Sequence, residues 1–394
     1  MDKFIEIWPS KNMKFDKIKN EEFKVTICWS HKFFEDYRKM SYDFFECGNR
    51  TFEEVINGDA DNVKADGWFL AGVYLFRQSI ELGLKALICR TCKRNPDIQA
   101  LFEECCHDLA RLFQSYLEMN RNTCFTESEK DWLEAYLMSL ESVDVKSDIF
   151  RFPFEGLFIE QHNETFLNNL DVANNLAQAF FLIRKEIEEG FVRPGEEFDE
   201  SLKTEFLIFS THGIGNCYIR RSPWDRGFYL IIEGYKSVID YIFEDKEINN
   251  SSKIYPMMFL CRNTVELCLK QLLYRKVEKG VPVQIIRAKR KSHLIIKDLW
   301  KNVKPAILNH ARIQGYDLGM IEIVEAHLKV INSLDKNGDN FRYPTSYSLE
   351  YRIDNMTLDL KNVYEYMRSI INFLDGCNSM LEMEEETRRT EPTD

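Results

Sequence analysis

Three charged residues at helical spacing occur twice in this chain. Arg77, Glu81 and Lys85 stand at i, i+4 and i+8 in RQSIELGLKALI (77–88), and Arg262, Glu266 and Lys270 repeat them in RNTVELCLKQLL (262–273), 185 positions on. Positions four apart share one helix face, so each trio sets a carboxylate between two cations. An exposed Glu–Lys pair at this spacing is worth only about 0.3–0.5 kcal/mol. So small a gain would hardly keep three residues in both places while their neighbours changed, and each trio is expected to face partner helices. About thirty residues beyond each trio comes a histidine, His107 in HDLARLF and His293 in HLIIKDLW; later come DIFRFP with Arg151 and DNFRYP with Arg342. Two clusters are therefore predicted, one of Arg77, Glu81, His107 and Arg151, the other of Arg262, Glu266, His293 and Arg342. Such a cluster has two uses. It is either a buried polar network that fixes helix register, or a pocket where His moves protons while cations hold a phosphate.

The elements carrying these residues read as helices. Ile80, Leu84 and Leu87 recur at i, i+4 and i+7, as do Val265, Leu269 and Leu272, the core stripe of an amphipathic helix. Trp29-x3-Phe33 is matched by Trp224-x3-Phe228 upstream, giving four matched features in one order at near-constant offset. That pattern predicts a tandem duplication: a mainly α chain of two helical bundles, with short strands at 23–29 and 206–219 leading into each. The expected divisions are an N-terminal domain over 1–188, a polar linker over 189–205, a C-terminal domain over 206–381 and a disordered acidic tail over 382–394.

The chain has 394 residues, 44% of them in the hydrophobic set and 13% aromatic, with only 17 Gly and 10 Pro. That balance excludes disorder and disfavours a turn-rich β fold. Net charge is −12, but unevenly spread: residues 1–200 carry 24 basic and 38 acidic side chains, residues 201–394 carry 28 and 26. The basic residues of the second half concentrate at Arg287, Lys289, Arg290 and Lys291, just ahead of His293, and this run is the expected contact for a nucleic-acid backbone. The longest apolar run, Trp68–Phe76, is far short of the ~18 residues a spanning helix needs. With eleven irregularly spaced cysteines and no signal-peptide pattern at the start, a cytoplasmic protein away from membranes is expected. Cys89, Cys92, Cys105 and His107 could supply a zinc site, but the second copy has Tyr274 and Val277 where the first has Cys89 and Cys92. Helical cysteines three apart are more often core packing, so no metal is expected. Gly213-x-Gly215 lacks the rest of a phosphate loop, and no cofactor is expected either.

R-x3-E-x2-L-K on one helix, a His-led helix next, and F-R-[FY]-P before a last long helix resemble the HEPN superfamily, once per half of the chain. These are small helical bundles common in prokaryotic toxin–antitoxin, abortive-infection and other phage-defence systems. The resemblance implies a pair of bundles forming an intrachain pseudo-dimer, open to further homo-oligomer formation. It implies antiviral defence through RNA, by binding, sensing or metal-independent ribonuclease action, or else a silent adaptor that binds a partner protein or nucleotide. Ribonucleases of that superfamily carry Arg, four to six residues, then His. Here only Arg287 and His293 have that spacing; before His107 the matching positions are Ala100, Leu101 and Phe102.

Overall fold

The computed structural model describes residues 7–58, 61–144, 146–153, 158–213, 215–220, 228–278 and 292–390. The basic run Arg287, Lys289, Arg290 and Lys291 lies outside the described residues. The chain is mainly helical, with five short strands among the described residues. It packs as two units: a larger one of residues 27–256 with 342–355, and a smaller one of 1–26, 257–341 and 356–394. The units cut across the expected domain boundaries. The predicted linker, 189–205, lies within the larger unit, and so does the segment from Arg342 to Asn355.

The larger unit is built on α2 (Asn62–Thr91), whose N-terminus is capped by the Asp61 carboxylate accepting from the Val63 and Lys64 amides. From Phe69 to Ile88 every α2 residue is buried, so this helix is enclosed on all sides rather than amphipathic. It is covered by α1 (Phe33–Asn57), α4 (Leu109–Met119), α7 (Asn169–Ile187) and α8 (Phe228–Glu244). Between them run α3 (Asn95–Cys105), α5 (Glu127–Asp144) and the one-turn α6 (Phe158–Gln161). The α2–α8 crossing is glycine-on-glycine: a Cβ added to Gly234 would sit 1.9 Å from the Gly67 carbonyl oxygen. In the same unit β2 (Thr165–Leu167) is the centre of an antiparallel sheet flanked by β3 (Phe209–Ser210) and β4 (Cys217–Ile219).

The boundary of the units falls inside α9 (Asn250–Glu278), after Pro256. In the smaller unit a π-helical turn at Ile295–Trp300 runs into α10 (Lys301–Gln314), followed by α11 (Gly319–Leu334) and α12 (Leu360–Thr390). Trp300 is 2% exposed and donates its indole N–H to Glu325 (3.2 Å), anchoring that turn to α11. There β1 (Lys24–Ile27) pairs with β5 (Met356–Asp359). Helix α12 continues through residues expected to be frayed; LEMEEETRR contains good helix formers and no Gly or Pro to stop it.

The strands follow one rule. Each pairs with a strand distant in sequence: β1, near the start of the chain, pairs with β5, just before the last helix, and β3 and β4 both pair with β2. A three- or four-residue strand has unpaired backbone on both sides and needs a partner from elsewhere in the chain.

Candidate functional site

Glu81 is the centre of the first cluster. It sits in the middle of α2, wholly buried, and every one of its side-chain partners brings a donor. Its Oε1 accepts from Lys85 Nζ (2.6 Å) and Tyr343 Oη (2.7 Å) and lies 3.0 Å from His107 Nδ1; its Oε2 accepts from Arg77 (2.9 Å). Burial pushes the Glu81 carboxyl upward, but the charges of Lys85, His107 and Arg77 outweigh it and hold it well below the usual range. Arg77 in turn reaches the Asp144 carboxylate at the end of α5 (2.9 Å), with Glu141 3.6 Å away. Asp144 Oδ1 accepts from the Asp148 and Ile149 amides, closing the turn that leads into FRFP. Burial raises Glu141 to about 8 against the opposing charge of Arg77, so it is protonated at neutral pH.

His107 is placed by the backbone. Helix α3 ends at Cys105, Cys106 takes a positive φ (51°), and the Asp108 carboxylate caps α4 through the Arg111 amide. Arg77 fixes the turn between the helices by donating to the His107 carbonyl (2.9 Å). With Glu81 accepting the Nδ1 proton, the ring is the Nδ1–H tautomer and its Nε2 is left as an acceptor without a partner among the described residues. Burial lowers the His107 pKa below 6.5 despite Glu81, and the Arg342 and Lys85 charges lower it further, so the ring is neutral at pH 7. Its side chain remains 23% exposed. A neutral imidazole anchored at one nitrogen and open at the other is a competent proton acceptor.

The second cluster repeats this geometry in the smaller unit. Glu266 is buried, ion-paired to Arg262, with Lys270 at 3.0 Å and His293 Nδ1 at 2.8 Å. Burial pushes its carboxyl up, but Lys270, Arg262 and His293 hold it well below the usual range. Arg262 donates to the His293 carbonyl (2.6 Å), as Arg77 does to that of His107, and approaches Asp335 at 3.6 Å. Asp335 Oδ1 accepts from the Gly338, Asp339 and Asn340 amides. The His293 side chain is 31% exposed.

No family model matches the chain, and neither does any curated protein or solved structure.

Arg77, Glu81 and His107 thus come together, as do Arg262, Glu266 and His293. The two FR[FY]P arginines are placed differently from the expectation. Arg151 pairs with Asp148 (3.5 Å) and lies over the Phe152 ring, and it is not among the partners of Glu81 or His107. Arg342 belongs to the larger unit, where it donates to Ser147 (3.0 Å) and takes up the Gln78 side chain, so it stands with the first cluster rather than with Glu266. The reason is electrostatic: the oxygens of Glu81 already accept from Arg77, Lys85 and Tyr343 and lie against His107, and those of Glu266 are met by Arg262, Lys270 and His293. The FR[FY]P segments begin where Asp144 and Asp335 turn the chain.

Three residues went unpredicted. Asp144 and Asp335 stand 191 apart, the same offset as the two FR[FY]P motifs, and that shared offset was the available signal. Nothing in the sequence tied the Tyr343 hydroxyl to Glu81, since the residue at the matching offset, Phe152, has none. Among the described residues no group of three or more His, Cys, Asp or Glu side chains has the arrangement of a metal site. Cys92 instead lies 3.3 Å from the Met119 sulfur and Cys105 3.6 Å from the Ser115 hydroxyl. Among the described residues no helix is long and apolar enough to cross a membrane.

Proposed function

We propose that this chain is a duplicated HEPN-like protein of a prokaryotic defence or toxin module that acts on RNA, with His107 and His293 as its proton-transfer groups. The observation that carries this reading is the mostly buried but still accessible imidazole held at Nδ1 by a wholly buried carboxylate, found in both clusters. In this reading the Arg–Glu–Lys trio does not touch substrate. Arg77, Lys85, Arg262 and Lys270 are each no more than 1% exposed, so they position the histidine and leave phosphate binding to other cations. The basic run from Arg287 to Lys291 supplies these on sequence grounds. His107 Nε2 would take the proton of a ribose 2′-hydroxyl as that oxygen attacks phosphorus, and return it to the departing 5′ oxygen. The test is cleavage of a mixed RNA in the presence of EDTA. Activity in the wild type that the double variant His107→Ala/His293→Ala reduces at least a hundredfold is the expected result; cleavage unchanged in the double variant refutes it.

The same burial favours a second reading, a catalytically silent adaptor in which both networks only hold the helices in register. It predicts no RNA cleavage by the wild type, and RNA or partner-protein binding that survives in His107→Ala and His293→Ala.

A further inference from the structure

The segment Arg342–Asn355 belongs to the larger unit and is fastened there at several points. Gln78 Nε2 donates to the Arg342 carbonyl (2.9 Å), and the Tyr37 and Thr345 hydroxyls bond at 3.0 Å. Tyr351 Oη donates to Asp36 (2.6 Å), and the Trp29 indole N–H donates to the Ile353 carbonyl (2.6 Å). The side chain that this fastening sets against the first cluster is Tyr343, which is 5% exposed. Its hydroxyl donates to Glu81 Oε1 (2.7 Å) and lies 3.0 Å from His107 Nδ1. Its ring lies against the imidazole, with centres 5.9 Å apart and planes 27° apart.

His107 is held on two sides as a result. Glu81 takes its Nδ1 proton, and the Tyr343 hydroxyl keeps that carboxylate from turning while the Tyr343 ring covers one face of the imidazole. The imidazole has little freedom about its Cβ–Cγ bond, so Nε2 keeps one direction. That nitrogen is not enclosed, and the side chain is 23% exposed. The second cluster is built without this part. Among the described residues Glu266 is met by Arg262, Lys270 and His293, and by no hydroxyl. Phe152, at the matching offset from Tyr343, has no hydroxyl to give.

We propose that the two histidines are unequal: His107 carries most of the proton transfer, with Tyr343 as its positioning residue. The inference rests on the RNA reading above and deepens it. A base must point at the proton it takes as well as reach it, and a fixed imidazole is already aimed when substrate arrives. The hydroxyl acts on charge as well. With Lys85 and Tyr343 both donating to Oε1, Glu81 grips the Nδ1 proton less firmly than it would without the tyrosine, and His107 stays neutral to lower pH. Burial works the same way, as do the Arg342 and Lys85 charges, while Glu81 opposes them. Arg77 stands behind Glu81, with Glu141 and Asp144 of α5 beyond it. Replacing Tyr343 by Phe alters none of these groups, so its effect reports the hydroxyl alone.

The test uses the full chain and a mixed RNA in EDTA, with cleavage rates taken from about pH 5 to 8. His107→Ala should remove more than half of the wild-type rate, the remainder being the share of His293. Tyr343→Phe should lower the rate at the alkaline end about two- to tenfold, the worth of one neutral hydrogen bond. It should also move the acid limb of the pH–rate curve to higher pH. Lost folded protein would lower the rate by one factor at every pH, so movement of the limb separates positioning from stability. A limb that stays in place in Tyr343→Phe overturns the inference. So does a His107→Ala rate at or above half of wild type, even if Tyr343→Phe does not fold. The RNA reading fails on other results: no cleavage by the wild type, or cleavage unchanged in His107→Ala/His293→Ala.

Discussion

The hydroxyl of Tyr343 donates to Glu81 Oε1 at 2.7 Å, although 262 positions separate the two residues in the chain. The same hydroxyl lies 3.0 Å from His107 Nδ1, and the Lys85 ammonium sits 4.4 Å from the centre of the Tyr343 ring. A residue far along the chain therefore completes the site around Glu81. Tyr343→Phe removes one donor from Glu81 and should cost about 0.5–1.5 kcal/mol in urea unfolding. With one donor fewer, Glu81 holds the His107 proton more tightly, so the His107 pKa should rise toward 6.5. Following the ring Cε1–H resonance across pH measures it, and an unmoved titration would mean the hydroxyl does not act on the histidine.

Glu81 and Glu266 each keep two buried cations company. Glu81→Gln leaves Arg77 with Asp144 but strands Lys85, which has no second carboxylate among its hydrogen-bond partners. The expected loss is about 3–5 kcal/mol, the range for breaking a buried ion pair from one side. Glu266→Gln should cost a comparable amount. Denaturant midpoints give both values, and a loss under about 1 kcal/mol would show that water reaches these carboxylates.

Acid should destabilise the larger unit in two stages. The His107 pKa is depressed in the folded state, so its contribution is fully present above the unfolded value near 6.5 and is lost as pH falls below it through the folded value. Glu81 is also depressed, and its contribution is present above about 4.5 and lost at lower pH. Unfolding free energy measured between pH 7 and 5 should fall in the wild type and fall less in His107→Gln. Parallel curves would place the titrating group elsewhere.

The α2–α8 crossing gives a purely steric prediction. Gly234→Ala places a methyl carbon 1.9 Å from the Gly67 carbonyl oxygen, which is backbone and has nowhere to move while both helices keep their hydrogen bonds. The helices must separate, with a cost of about 1–3 kcal/mol from overpacking. Gly195→Ala, where nothing lies within 4 Å but φ is +84°, should instead cost only the strain of that backbone region. A thermal melt of the two variants separates crowding from strain.

Much of the site was legible because it is local. A period of 3.6 residues puts Arg77, Glu81 and Lys85 on one face whatever surrounds the helix, and the matched trio at Arg262, Glu266 and Lys270 made that face worth noticing. The mainly α class followed from the same apolar periodicity and the scarcity of Gly and Pro. Strands at 24–27, 209–210 and 217–219 fell where β-branched and aromatic residues gather, but nothing in so short a segment says which strand it pairs with.

The sequence alone thus determined the helices, the composition of each charged trio and the histidine that follows it. Tertiary structure alone decided that Arg342 and Tyr343 stand beside the Glu81 cluster, and that Asp144 and Asp335 receive the arginines. Helical spacing is imposed by backbone geometry within a few residues. A pairing across 262 positions depends on which surfaces remain uncovered once the helices have packed. Chain entropy scarcely opposes such a choice, because the cost of closing a loop grows only with the logarithm of its length.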